Sequence, residues 1–226
     1  EKPQVAAGHS LGEYSALVAS GALAFEDAIA LIAKRGEYME TAAPAGTGKM
    51  VAVLNTDGNL IEEICSTVTS GIVSPANYNT PAQIVIGGEV AAVDEAVELL
   101  KEAGVKRMIP LNVSGPFHTA LLKPASDQLA LALEQVDFAD FRVPLVGNTQ
   151  ATVMKKDEIR FLLTRQVMEP VRFYESIATM QEAGVTNFIE IGPGKILSGF
   201  VKKIDKTAHV VAIEDIEGLQ IVLNKS

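Results

Sequence analysis

Apolar and polar positions recur along this chain with two different periods, and the switches between them mark out its elements. KPQVAAGHSLGEYSALVASGAL reads as a short apolar strand, a Gly-bounded turn and a helix. Phe25 to Ala42 predicts a second helix from its 3.6-residue period. PAGTGK, rich in Gly and Pro, reads as a crossing between two parts of the chain. Beyond it the pattern predicts MVAVL as a strand, NLIEEICSTV as a helix and IVSPANY as a strand. After an Asn-Thr-Pro turn, QIVIGG reads as a strand, VAAVDEAVELLKEAG as a helix and VKRMIPL as a strand.

That order, β-α-β-β-α-β, is the split βαβ or ferredoxin-like unit, with expected bounds 48–111. The chain returns through NVSGPFHTALLKPASDQLALALEQV, a loop feeding a helix. VPLVGNT follows as a strand ending in a polar turn, and EIRFLLTRQV as a helical stretch. VRFYESIATMQEAG is amphipathic, with Phe173, Ile177 and Met180 on one face. VTNFIEIGPG predicts a buried strand running into a Gly-Pro-Gly loop. KILSGFVKKI reads as a helix, HVVAI as a strand and EGLQIVL as a closing helix. Strand–helix alternation on both sides of the inserted unit predicts an α/β main domain with a parallel sheet, built from 1–47 and 112–226.

Composition narrows the class. With 226 residues, nearly half of them hydrophobic, the chain can bury a main core and a smaller one. A net charge of −9 disfavours a nucleic-acid binder and a protein held on an anionic membrane by charge. The single Cys rules out an internal disulfide and suits a reducing compartment. With Ile61, Ile64 and Val68 at helical spacing, Cys65 reads as a buried small hydrophobe rather than a second nucleophile. No apolar run reaches bilayer-spanning length and no charged-then-apolar leader opens the chain, so cytoplasm is the expected compartment. The chain begins with Glu1 rather than Met, and its first residues already enter a motif, so a preceding segment is expected.

Three features carry candidate chemistry. Gly8-His9-Ser10-Leu11-Gly12 fits G-x-S-x-G, with a strand before it and a helix after it, the context of a nucleophile elbow. At both glycines a side chain is expected to collide with neighbouring backbone. The turn sets Ser10 at a helix N-terminus, and the Leu11 N–H becomes a candidate oxyanion donor. The competing reading is an N-cap serine in a tight turn. On the helix 25–42, Arg35 falls among Ala28, Leu31, Ile32 and Met39, while Lys34 takes the solvent side with Asp27, Ala30, Glu37 and Thr41. A guanidinium on an apolar face needs an anion, supplied either by an internal carboxylate or by a substrate carboxylate. Of the three histidines, His9 lies inside the elbow and His209 opens the run HVVAI. His118 sits in SGPFHTALL, a Gly-Pro loop before a helix. Two arrangements stay open: Ser10 with Glu190 and His209 in the hydrolase order, or Ser10 with His118 and no triad acid.

GHSLGEYSALVASGAL, KRGEYM, PANYNTPAQIVIGG, VSGPFHTALLKPA, RQVMEPVRF and IEIGPGKILSGF, in this order over nearly the whole chain, resemble the malonyl-CoA:acyl carrier protein transacylase family. The resemblance implies an α/β-hydrolase-like main domain bearing a ferredoxin-like subdomain. It implies a Ser10–His118 dyad, Arg35 as ligand of the malonyl carboxylate, and His9 as a residue shaping the pocket. Gln166 would orient the histidine through its main-chain carbonyl, which leaves its side chain no part. Leu11 and Phe117 resemble the malonyl-selective branch. The implied substrates are malonyl-CoA and the phosphopantetheine of an acyl carrier protein, in fatty acid biosynthesis, with no further cofactor and no metal. Lys195, Lys202, Lys203 and Lys206 cluster beside the Gly-Pro-Gly loop, as a docking patch or as an ordinary solvated face. The family opens with a strand and a G-Q-G loop whose Gln serves the oxyanion hole. No such segment precedes the elbow here, so the resemblance implies a member lacking its N-terminal part. A serine esterase or thioesterase using Ser10, Glu190 and His209 is the alternative, and a non-catalytic acyl-CoA-binding fragment a third reading.

Overall fold

The elbow is built by a strand of only two residues, β1 (Ala6–Ala7), which turns into helix α1 (Gly12–Ala19). Helix α2 (Phe25–Ala42) follows, and it buries Ala28, Leu31, Arg35 and Met39 along the stripe that its period predicts. The computed structural model describes residues 2–113 and 115–223. Glu1, Ser114 of the Gly-Pro loop and 224–226 lie outside the described residues.

From Gly48 the chain forms β2 (Gly48–Leu54), α3 (Gly58–Thr67), β3 (Val73–Thr80), β4 (Gln83–Glu89), α4 (Val90–Glu102) and β5 (Met108–Pro110). The sheet order is β3-β4-β2-β5, and every neighbouring pair is antiparallel. Val51, Val53, Ile84 and Ile86 of this sheet pack with Ile61, Cys65, Val93 and Leu100 of α3 and α4 in one apolar cluster. Cys65 is a free, buried thiol, and burial pushes its pKa up to about 12.

The return half runs through a 3₁₀ turn (Ala120–Leu122) into α5 (Lys123–Leu133), then β6 (Leu145–Val146), α6 (Ile159–Gln166) and α7 (Phe173–Glu182). It ends in β7 (Asn187–Ile191), α8 (Ile196–Ile204), β8 (His209–Ile213) and α9 (Ile216–Leu223). Phe173, Ile177 and Met180 form the buried face of α7. Parallel pairing links β1 to β6 and β7 to β8 as two separate ladders. The molecule is thus an α/β fold with parallel and antiparallel sheets.

Two expectations need correction. The strand in VPLVGNT is only two residues long: the expected polar turn begins at Gly147, whose N–H donates to the Thr152 carbonyl, and Asn148 turns to the elbow helix, its N–H donating to Glu13. The strand in VTNFIEIGPG is not buried: Ile189 is 55% and Ile191 81% exposed. It pairs with β8 alone and packs one face, through Phe188, against α7 and α8, while its other face meets no layer among the described residues. An apolar run records a capacity for burial, and realising it requires a partner.

Candidate active site

Ser10 occupies the turn between β1 and α1 with φ of 53°, a left-handed conformation rare for a side-chain-bearing residue. The turn closes because Gly8 has no Cβ. One placed there would stand 2.0 Å from the Gly12 carbonyl group. A Cβ on Gly12 meets nothing within 4 Å, so the steric demand falls on Gly8 and not, as the motif suggested, on both glycines. Asn148, just past β6, clamps the turn from the far side. Its Oδ1 accepts from the Ser10 N–H at 2.7 Å, and its Nδ2 donates to the Gly8 carbonyl at 2.6 Å. The Leu11 N–H, one residue on, finds no acceptor among the described residues.

His118 meets this turn from the loop before the 3₁₀ turn, itself held at φ 61°. The Ser10 hydroxyl lies 2.8 Å from His118 Nε2, and His118 Nδ1 lies 2.7 Å from the Gln166 carbonyl. A carbonyl only accepts, so Nδ1 carries the proton and Nε2 presents its lone pair to the serine. Burial, and secondly the cation of Arg35, lowers the His118 pKa to about 3. The ring is therefore neutral at physiological pH.

Arg35 reaches the same hydroxyl from α2. Its Nη2 donates to Ser10 Oγ at 3.0 Å and to Gln166 Oε1 at 3.0 Å. Its Nε is buried with no acceptor, and its guanidinium lies 5.7 Å from the centre of the Tyr14 ring. Among the described residues no carboxylate forms an ion pair with it. Ser10, Arg35, Gly36, Met39, Glu40 and Phe117 line a cleft of about 410 Å³.

The remaining sequence candidates fall in different places. Phe117 packs between two apolar clusters at the cleft wall. His9 lies outside the cleft lining. Its Nε2 meets Asn79 Oδ1 at 2.9 Å and its ring packs on Phe173, joining the elbow to the end of β3. Gln166 is fully buried, and its side chain has a full set of partners, against the expectation that only its carbonyl matters. Nε2 donates to Glu13 Oε2 at 2.6 Å and to the Ser10 carbonyl at 2.8 Å, while Oε1 accepts from Arg35. The hydrolase-order alternative is not assembled: Glu190 accepts from the Leu197 and Ser198 N–H groups at the start of α8, and His209 is exposed.

Sequence reasoning missed Glu13 and Asn148. Glu13 is 1% exposed, one turn from Ala16 and Leu17 on the buried face of α1. The helical projection that singled out Arg35 would have found it. Asn148 carried no such signal, because its partners lie 135 to 140 residues away and it sits in no periodic element.

Residues 1–221 match the acyl transferase domain family. The chain is 49% identical to the malonyl CoA-acyl carrier protein transacylase of Bacillus subtilis, over 98% of this chain and 71% of that protein. It is 42% identical to the Staphylococcus aureus protein of the same name, over 96% and 72%. The crystal structure of MCAT from Streptococcus pneumoniae superposes with a TM-score of 0.98 at 69% identity, over all of this chain and 74% of that one. A malonyl-transacylase solved with a type II PKS acyl-carrier protein superposes at 0.96 with 42% identity, over 100% and 74%. The chain therefore belongs to the acyl transferase domain family, among the malonyl CoA-acyl carrier protein transacylases.

Proposed function

We propose that this chain moves a malonyl group from malonyl-CoA to the phosphopantetheine thiol of an acyl carrier protein, in fatty acid biosynthesis, through a malonyl-Ser10 intermediate. The observation that carries the reading is the single hydroxyl shared by a neutral imidazole at 2.8 Å and a guanidinium at 3.0 Å. His118 Nε2 takes the Ser10 proton as Oγ bonds to the thioester carbon, and the Leu11 N–H donates to the developing oxyanion. The C–S bond breaks and His118 returns the proton to the coenzyme A sulfur. The carrier thiol then gives its proton to His118, its sulfur attacks the acyl carbon, and the C–Oγ bond breaks. Oγ recovers the proton, and the residues stand as they began.

Arg35 supplies the recognition. It lines the cleft without a carboxylate of its own, which suits an entering carboxylate, and a guanidinium binds one better than an ammonium would. The bound carboxylate has a second effect. It offsets the cation that helps depress His118, so the correct substrate strengthens the base that acts on it. Phe117 contributes to acyl selectivity from the cleft wall, and His9 supports the elbow from behind it.

The wider assignments follow from the same reading. Residues 1–47 and 112–226 form an α/β-hydrolase-like catalytic domain, and 48–111 a ferredoxin-like subdomain. The β3-β4-β2-β5 order and its own apolar cluster support that division. Lys195, Lys202, Lys203 and Lys206, all exposed, offer the acidic carrier a local basic surface on an otherwise acidic chain. The chemistry calls for no cofactor beyond the pantetheine arms of the two substrates. No helix among the described residues is long and apolar enough to cross a membrane, and the assigned compartment is the cytoplasm.

Intact-protein mass spectrometry after mixing with malonyl-CoA tests the reading. Wild type should gain a malonyl adduct that holo-carrier protein discharges. Ser10→Ala should gain none, and His118→Ala should load slower by about three to four decades. An adduct that survives Ser10→Ala overturns the assignment.

A further inference from the structure

Arg35 is a buried cation without a paired carboxylate, yet it is not isolated from one. Gln166 stands between Arg35 and Glu13, with its oxygen on the guanidinium and its nitrogen on the carboxylate. We infer that Glu13 is a positioning residue for the transfer reaction: through the Gln166 amide it fixes the guanidinium of Arg35 against Ser10 and supplies its counter-charge at one remove, leaving Nη1 without a bound acceptor for the acyl carboxylate.

The geometry constrains each member. Both Glu13 oxygens face donors, Oε1 the Asn148 N–H at 2.8 Å and Oε2 the Gln166 Nε2 at 2.6 Å. A carboxylate offers an acceptor to each of those donors without a competing hydroxyl hydrogen, so the pattern favours the ionised form. An ionised carboxylate only accepts, which forces the nitrogen of the Gln166 amide toward it. The second hydrogen of that nitrogen goes to the Ser10 carbonyl at 2.8 Å. With the nitrogen committed twice, Oε1 has one direction left, and Arg35 lies along it. The same carboxylate holds the backbone of Asn148, whose side chain grips Ser10 N and the Gly8 carbonyl. Glu13 thus reaches the nucleophile from two sides while touching no reacting atom.

A direct Glu13–Arg35 ion pair would consume the fork that the substrate needs. An amide spacer keeps the attraction, weakened by distance, and occupies one hydrogen of Nη2 where a carboxylate would take two donors. The titratable and charged groups around Glu13 are Tyr14 on its own helix, Arg35 on α2 and, across Gln166, His118. Burial raises the Glu13 pKa to about 7, against the hydrogen bonds and Arg35 that favour the charge.

The inference rests on the transacylase reading, and its test is built to fail separately. Loading of Ser10 by malonyl-CoA and by acetyl-CoA is compared in wild type and Glu13→Gln, each checked for folding by circular dichroism and thermal melting. The carboxamide must turn its own nitrogen toward a donor, so Gln166 flips or lets go. Malonyl loading should fall by about 30- to 100-fold and acetyl loading by much less, because acetyl has no carboxylate to misplace. The rise of malonyl kcat/KM through about pH 7 should be present in wild type and absent in the variant. The double variant Glu13→Gln/Gln166→Glu keeps the net charge but sets a carboxylate directly on Arg35. It should fold, melting somewhat lower because a carboxylate oxygen now faces the Ser10 carbonyl, and still fail to prefer malonyl-CoA. Equal losses for both substrates, or a double variant that recovers the malonyl preference, would overturn the positioning role. A wild type that forms no acyl-serine would instead overturn the function on which it rests.

Discussion

A guanidinium 5% exposed in an apolar helix face sets a condition that the rest of the site has to meet. Helical projection identified Arg35 as the anomaly and left its anion open between an internal acid and a substrate. The structure supplies an internal acid at one remove, Glu13 behind Gln166, and leaves Arg35 without a carboxylate ion pair at the cleft wall. Arg35→Ala should lower malonyl kcat/KM by about two to three decades, since it strands a carboxylate in a desolvated cleft. Acetyl-CoA should be used no worse, and Arg35→Lys should recover only part of the loss, for want of a planar fork. The ratio of kcat/KM for malonyl-CoA over acetyl-CoA measures this. An unchanged ratio would assign Arg35 to the fold alone.

Elements differ in how far the chain announced them. Helix α2 has the bounds its period predicted, because 18 residues of amphipathic pattern leave little room for error. The βαββαβ order was equally legible, since strand and helix periods alternate there with clear turn residues between them. β7 was misread on burial, because local pattern is blind to which face finds a neighbour. The elbow was recognised, but its two glycines were treated alike. Gly8 approaches the backbone of Gly12 and Glu13, whereas Gly12 faces open space. Gly12→Ala should therefore retain most malonyl loading. Gly8→Ala should lose it by at least about two decades and melt lower, as an overpacked turn opens at about 1–3 kcal/mol or more. Equal behaviour of the two variants would refute the reading of the turn.

Across the whole molecule, two buried titratable groups pull stability in opposite directions with pH. His118, near 3 when folded against an ordinary 6.5, stays neutral while the unfolded chain takes a proton, so its contribution is lost as pH falls from 6.5 toward 3. Glu13, near 7 when folded against 4.5, takes a proton that the unfolded chain releases, so its contribution is lost as pH rises from 4.5 to 7. Between 4.5 and 6.5 the two slopes, each about 1.4 kcal/mol per pH unit at most, offset each other. Melting temperature should be nearly level there and fall below about pH 4.5, as far as these two groups govern it. In Glu13→Gln the acid-side fall should begin near pH 6.5 instead, and a variant melting profile parallel to wild type would refute the pairing. The clamp on Ser10 has a further consequence, in time rather than in energy. The serine meets His118, Asn148 and the Gln166 side chain across 108, 138 and 156 residues of sequence. During synthesis Ser10 leaves the ribosome before His118, Asn148 and Gln166, so the contacts proposed to activate it cannot close until chain beyond residue 166 has emerged and folded back. On the proposed mechanism, a chain in which those contacts have not yet closed carries an ordinary alcohol, and reactivity toward thioesters waits on their closure.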